Sequence, residues 1–147
     1  MSGPVPEAGG RRDEMARVMA EAMEAFNRRD WAGFYATTTE DFVLRTDVRW
    51  PGGGEYRDRD AQMGFLEQFL EPWSDLRYER IGEPEMFAPD LLIERGSWNA
   101  HGATSGLGGR LEFTVVVSFR GDRVRRTDFF LKHSDALGFA AREEAAG

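Results

Sequence analysis

The sequence predicts an α+β fold, a cone of three N-terminal helices packed on a strongly curved antiparallel sheet. Three observations predict it. Residues 13–29 carry apolar side chains at helical spacing. Beyond Pro72 the apolar residues alternate with period two. The strand-like runs are joined by short turns, among them Ala88-Pro89-Asp90 and Arg120-Gly121-Asp122. Helices followed by hairpin-linked strands segregate onto one face of an antiparallel sheet, and a strongly twisted sheet leaves a ligand-sized hollow on its concave side.

Each element has its own signal. In the first helix Met15, Val18, Met19, Ala22, Met23 and Phe26 follow the i, i+3, i+4, i+7 spacing, with Asp13 placed to cap it. Asp30 caps a short second helix bearing Trp31, Phe34 and Tyr35. A strand, Asp41 to Val48, puts Phe42 and Leu44 on one parity, and Trp50-Pro51 and three glycines form a loop. Asp58 or Asp60 caps a third helix, which Pro72 stops at Glu71. Four strands follow: Leu76–Ile81, Leu91–His101, Leu111–Phe119 and Arg123–Lys132, with Gly102 to Gly109 as a hairpin connection. A last short helix starts near Ser134. The expected organisation is a flexible tail over residues 1–12, one domain over 13–141 and a tail over 142–147.

Composition excludes several classes. A net charge of −7 argues against general binding to nucleic acid or to an anionic membrane. No apolar run approaches the roughly 18 residues that span a bilayer. The segment MSGPVPEAGGRR has no apolar core of a signal peptide, and the absence of cysteine excludes disulfides and zinc–cysteine sites. A cytoplasmic location is expected. Two histidines far apart, with no His-x-His or Glu-x-x-His spacing, point to no metal and no cofactor.

The run Arg123–Lys132 carries the most chemistry. One parity holds Val124, Arg126, Asp128 and Phe130; the other holds Arg125, Thr127, Phe129 and Leu131. An Asp between apolar neighbours is costly unless it is paired or works in a pocket. Arg95, Ser97, Asn99 and His101 share one parity of the Leu91–His101 strand and would face the same pocket if Arg95 does. A structural salt-bridge network on a wet sheet face is the alternative.

The ordered set of motifs resembles the nuclear transport factor 2-like superfamily, specifically its SnoaL-like group. Carrying it are Phe26-Asn27-Arg28-Arg29-Asp30-Trp31, Trp50-Pro51 through Glu55-Tyr56-Arg57-Asp58-Arg59, Phe65 to Phe69, Ser105-Gly106, Phe119-Arg120-Gly121-Asp122-Arg123-Val124, Asp128-Phe129-Phe130 and Asp135-Ala136-Leu137. Tried against limonene-epoxide-hydrolase-like proteins, Asp128 and Arg95 match, while Ser97 stands where a second Asp belongs. Ketosteroid-isomerase-like roles fall on Ala22, Thr46 and Val115 and are lost. Polyketide cyclases of the SnoaL type use one Asp with a nearby His, types that Asp128 and His101 supply.

The resemblance implies a small enzyme performing cyclisation, isomerisation or epoxide opening on an apolar oxygenated metabolite. The alternative is a non-catalytic binding or accessory protein. Asp128, Arg95 and His101 are the candidate catalytic residues. Ser97, Asn99, Arg126, Phe130, Val115, Val117, Leu44 and Trp50 are the candidate substrate contacts. A homodimer is expected through the convex sheet face, with Arg125, Thr127, Phe129 and Leu131 as the off-pocket parity.

Overall fold

A computed structural model of the chain describes residues 7–50, 52–72, 75–100 and 109–146. Helix α1 spans Glu7–Asn27, α2 Trp31–Ala36 and α3 Arg59–Leu70. The strands are β1 Thr38–Arg45, β2 Glu55–Tyr56, β3 Arg77–Ala88, β4 Leu91–Ala100, β5 Gly109–Arg120 and β6 Arg123–Phe130, and α4 His133–Ala146 closes the order. Two of the capping assignments hold, whereas Asp13, expected to cap the first helix, lies inside α1. Asp30 accepts from Gly33 N at 2.9 Å, and Asp58, not Asp60, accepts from Ala61 N at 2.8 Å. The hairpin expected at Gly102 to Gly109 lies almost wholly outside the described residues.

The six strands form one curved sheet in the order β2-β1-β6-β5-β4-β3. All pairings are antiparallel except β1 with β6, which is parallel. Several boundaries differ from expectation. α1 begins at Glu7, where Arg11 donates to Pro89 O at 2.6 Å and ties the helix start to the β3–β4 turn. β3 runs on to Ala88 past an irregularity at Gly82, whose φ of +71° suits glycine. α4 continues to Ala146, seating Ala136 and Ala140 in a small core.

That small core marks the sheet's second face. α1, α2 and α3 cover one face, where Leu92, Phe113, Val115, Val117 and Phe129 are buried. α4 covers part of the other, where Ile93, Val116 and Phe130 are buried. Side chains alternate between these faces, so register decides what reaches the interior.

The β5–β6 hairpin carries a bulge that overturns the parity expected for the last strand. Arg120 pairs with Arg123 and Phe119 with Val124, but Ser118 pairs with Arg126, leaving Arg125 as the extra residue. A regular ladder would have put Val115 and Val117 on the same face as Asp128 and Arg126. The bulge instead opposes Val117 to Thr127 and Val115 to Phe129. The physical reason is burial: the helix-covered face receives Thr127 and Phe129 rather than an ion pair. Thr127 and Phe129 are therefore interior, 3% and 5% exposed, and do not form an outward dimer face.

Candidate functional site: an aromatic cavity inside the cone

Two hollows share one aromatic wall between the sheet and α3. The inner one is about 30 Å³. Met23 and Phe26 reach it from α1, Leu44 and Thr46 from the end of β1, and Phe65, Leu66 and Phe69 from α3. Trp98 of β4 and Thr127 and Phe129 of β6 close it from the sheet. The outer chamber, about 740 Å³, shares Phe65, Phe69 and Trp98 with it and is rimmed by Gln68, Glu71 and Arg110.

Trp50 enters the inner cavity because its turn is held on several sides. Trp50 N donates to Asp47 O at 2.9 Å, and Gly53 N donates to Trp50 O at 2.8 Å. A Cβ on Gly53 would sit 2.1 Å from Asp47 O, so the crossing requires glycine. The Asp47 carboxylate accepts from Arg49 Nε at 2.7 Å, Arg49 Nη2 at 2.6 Å and Leu131 N at 3.1 Å. The Arg49 guanidinium, with the backbone N–H groups of Arg49 and Leu131, holds Asp47 well below the usual carboxylate range against the opposing effect of burial.

The rings are ordered. Trp50 and Phe69 are parallel to within 2° at 6.0 Å, and Phe65 and Phe69 to within 11° at 5.7 Å. Phe69 meets Trp98 edge-on at 5.5 Å, where the two hollows adjoin. Among the described residues, four buried side-chain polar atoms lack a partner, and three belong to residues whose apolar parts line this cavity: Trp50 Nε1, Trp98 Nε1 and Thr127 Oγ1. A separate groove of about 430 Å³ between α2, β1 and α3 is open, and its main polar groups are already engaged. There Arg59 stacks on Tyr35 at 4.0 Å, and Tyr35 donates to Gln62 at 2.8 Å.

The sequence profile of the SnoaL-like domain matches residues 19–127. The chain belongs to the SnoaL-like domain family. No curated protein matches it. Solved structures share the fold at low identity. A nuclear transport factor 2-like protein of unknown function from Burkholderia pseudomallei K96243 is 18% identical, with a TM-score of 0.69 over 85% of this chain and 95% of that one. TerC, co-crystallised with polyporic acid, is 14% identical, with a TM-score of 0.69 over 87% of this chain and 98% of that one. A Sinorhizobium meliloti protein described as a polyketide cyclase is 13% identical, with a TM-score of 0.62 over 80% of this chain and 97% of that one. No described helix of this SnoaL-like chain is long and apolar enough to cross a membrane.

The structure separates the residues that sequence reasoning grouped. Leu44 and Trp50 line the inner cavity. Val115 and Val117 are fully buried in the surrounding core. Asp128, Arg126 and Phe130 lie on the opposite, α4 side of the sheet, because of the bulge at Arg125. Asp128 is 0% exposed there. Its carboxylate accepts from Arg126 Nε at 2.7 Å, Arg126 Nη2 at 2.8 Å and Arg45 Nε at 2.7 Å. Arg45 in turn stacks on Phe130 at 4.7 Å and on Phe139 of α4 at 5.4 Å.

The expected Arg95–Asp128 pair is not formed. Arg95, Ser97 and Asn99 share the parity of Ile93 and so the α4 side. Arg95 pairs with Glu112 at 3.6 Å, both about half exposed, and Asn99 donates to Ser97 Oγ at 2.8 Å. His101 lies outside the described residues.

Sequence reasoning passed over Trp98, Thr127 and Phe129 as site residues. The available signal was the apolar parity of Phe129 and Leu131, which competes with the Arg126–Asp128 parity for the interior.

A second polar group missed from sequence sits under α1. Glu94 is 1% exposed on the helix-covered face of β4. It accepts from the Tyr78 hydroxyl and from Arg80 Nε at 2.9 Å, and Arg80 continues to Ala16 O at 2.8 Å. Burial pushes the Glu94 carboxyl up, with Arg80 and Tyr78 pulling the other way. Burial, then the Glu94 charge, pushes the Tyr78 hydroxyl well above its ordinary range. The Tyr78 ring packs edge-on against Trp98 at 5.3 Å, placing this network behind the cavity wall.

Proposed function

We propose that this SnoaL-like protein binds an apolar small molecule inside the cone, admitted through the outer chamber. One observation carries the reading. A chamber of about 740 Å³ shares Phe65, Phe69 and Trp98 with an aromatic inner cavity. That volume falls in the range of small-molecule sites, roughly 300–1,000 Å³, and mostly apolar walls with a few polar groups are typical of them. The TerC co-crystal with polyporic acid supports small-molecule binding on this fold.

Acid/base turnover of the bound molecule is the second reading, supported by the fold neighbour described as a polyketide cyclase and by Glu94. In that reading Glu94 holds the labile proton behind the wall, since burial raises its affinity for a proton. Asp128 is less suited. It faces the other side of the sheet, and three guanidinium N–H groups already occupy its oxygens.

Native mass spectrometry of the purified protein tests for a retained ligand, and tryptophan fluorescence titration with small aromatic compounds tests for saturable binding. Gln68 is exposed on the chamber rim. Gln68→Trp should block entry and weaken binding about 10-fold or more, the effect of losing about 1.4 kcal/mol, without lowering the melting temperature. No retained mass and no saturable signal sinks the reading. Glu94→Gln separates the two readings: binding is kept in both, and turnover is lost only in the second.

A further inference from the structure

The outer chamber leaves an interior apolar surface uncovered. Leu111 alternates in step with Phe113, Val115 and Val117 on the interior side of β5 and pairs with Trp98 of β4. Those three are 3% exposed or less, whereas Leu111, which lines the chamber, is 42% exposed. It is therefore not a stray surface leucine but the open end of the packed face. Phe65, Phe69 and Trp98 continue the same wall inward. An apolar body laid along it removes from water what the fold leaves wet.

The rim adds a sign of charge. Among the described lining residues, Gln68, Glu71 and Arg110 carry long polar side chains. Arg110 is off the interior parity, and its guanidinium is engaged with its neighbours on the other side of the sheet. It donates to Asn99 Oδ1 at 3.2 Å and lies 3.4 Å from Glu112. Glu71 is exposed at the end of α3, and its carboxylate has no ion-pair partner among the described residues. The last turn of α3 holds no basic residue. An unpaired carboxylate and the negative end of a helix dipole thus meet at one edge of the chamber. Asp75 and Arg77, on either side of Leu76, add one charge of each sign. The aromatic wall favours the same kind of guest, since ring faces attract cations. The net charge of −7 also draws cations to the chain.

We infer that the ligand joins an apolar body to a protonated amine, with the body along Phe69, Trp98 and Leu111 and the amine at the Glu71 edge of the chamber. Glu71 sets the specificity for charge. The inference rests on the pocket reading above and names the ligand chemistry of that pocket.

The test is a matched set of probes at pH 7: 2-aminoindane, indane and indane-2-carboxylate, titrated by tryptophan fluorescence into the wild type, Glu71→Gln and Glu67→Gln. In the wild type the amine should bind about 5- to 10-fold more tightly than indane, the scale of one solvent-accessible ion pair with a cation–aromatic contact. In Glu71→Gln that ratio should fall to about 2-fold, because glutamine keeps the shape and loses the charge. Glu67 lies one turn back on α3 and is not among the lining residues, so Glu67→Gln should keep the wild-type ratio. Indane affinity serves as the folding control and should stay within about 2-fold in both variants. A wild-type ratio near one, with indane binding, overturns the inference and leaves the pocket standing. A ratio unchanged in Glu71→Gln, or lowered equally in both variants, overturns the assignment to Glu71 in favour of the general field of an acidic chain. Tighter binding of the carboxylate than of the amine overturns the sign and turns the argument to Arg110. Failure of all three probes to bind the wild type sinks the pocket reading and this inference together.

Discussion

Replacing Asp128 by asparagine decides between the two faces of the sheet. The structure buries Asp128 completely and gives it three guanidinium donors from Arg45 and Arg126. Removing one partner of a buried ion pair typically costs about 3–5 kcal/mol. Two features reduce that. The Arg45 and Arg126 side chains keep 24% and 16% of their exposure, so water partly solvates the stranded charges. Asparagine also retains one acceptor oxygen. A loss of about 2–3 kcal/mol remains, which for a chain of this length lowers the melting temperature by roughly 5–10 °C. Pocket binding should change by less than about 2-fold, because the carboxylate and the cavity lie on opposite faces of one sheet layer.

The assay is a thermal melt followed by circular dichroism, paired with a fluorescence titration of an aromatic probe at pH 7. Arg95→Met is the companion variant. Among the described residues Arg95 pairs with half-exposed Glu112, so its loss should cost less than about 1 kcal/mol and add independently to Asp128→Asn. An unchanged melting temperature with a loss of about 10²-fold or more in binding or turnover would refute the placement and return Asp128 to the site as an acid or base.

Asp47 and the hairpin bulge give two more expectations. Asp47→Asn should cost about 2 kcal/mol at pH 7, the scale of charge-assisted hydrogen bonds. Because the folded-state pKa of Asp47 is depressed, its contribution is present above the unfolded value of roughly 3.9 and lost as pH falls toward the folded one. Wild-type melting temperature should therefore drop more steeply below about pH 4 than that of Asp47→Asn; parallel pH profiles would contradict the role given to Arg49. Deleting Arg125 removes the extra residue and leaves a regular ladder with the same partners, Val124 opposite Phe119 and Arg126 opposite Ser118, so Asp128 stays on the α4 side and Phe129 stays inward. The deletion should therefore keep a cooperative melt and leave pocket binding within about 2-fold of the wild type, and loss of the cooperative melt would show that the bulge itself is needed to hold the register.

Much of this fold is legible in local chemistry. Asp30 and Asp58 start helices because their carboxylates reach the free N–H groups of the first turn, and Pro72 stops α3 because it cannot continue one. The apolar spacing of Met15, Val18, Met19 and Met23 identifies the buried stripe of α1, and the alternation of Phe113, Val115, Val117 and Phe119 identifies the interior face of β5. These signals lie within a few residues of one another, so a single sequence carries them.

What the sequence alone did not determine is which side of the last strand faces inward. The Gly121-Asp122 turn reads as a regular hairpin, and a regular hairpin sends Asp128 into the cone with Val115. One unpaired residue, Arg125, reverses that, moves Asp128 to Arg45 on a strand 83 residues away, and brings Thr127 and Phe129 to the cavity. The choice rests on burial summed over the whole face: the packed sheet admits Phe129 and Thr127 beside Trp98 and leaves the carboxylate where two guanidinium groups can reach it. The parallel pairing of β1 with β6 and the turning in of Trp50 by the Asp47–Gly53 crossing are of the same kind. Each joins residues far apart in the chain or in close backbone contact, and only the assembled tertiary structure sets the free-energy balance between the alternatives.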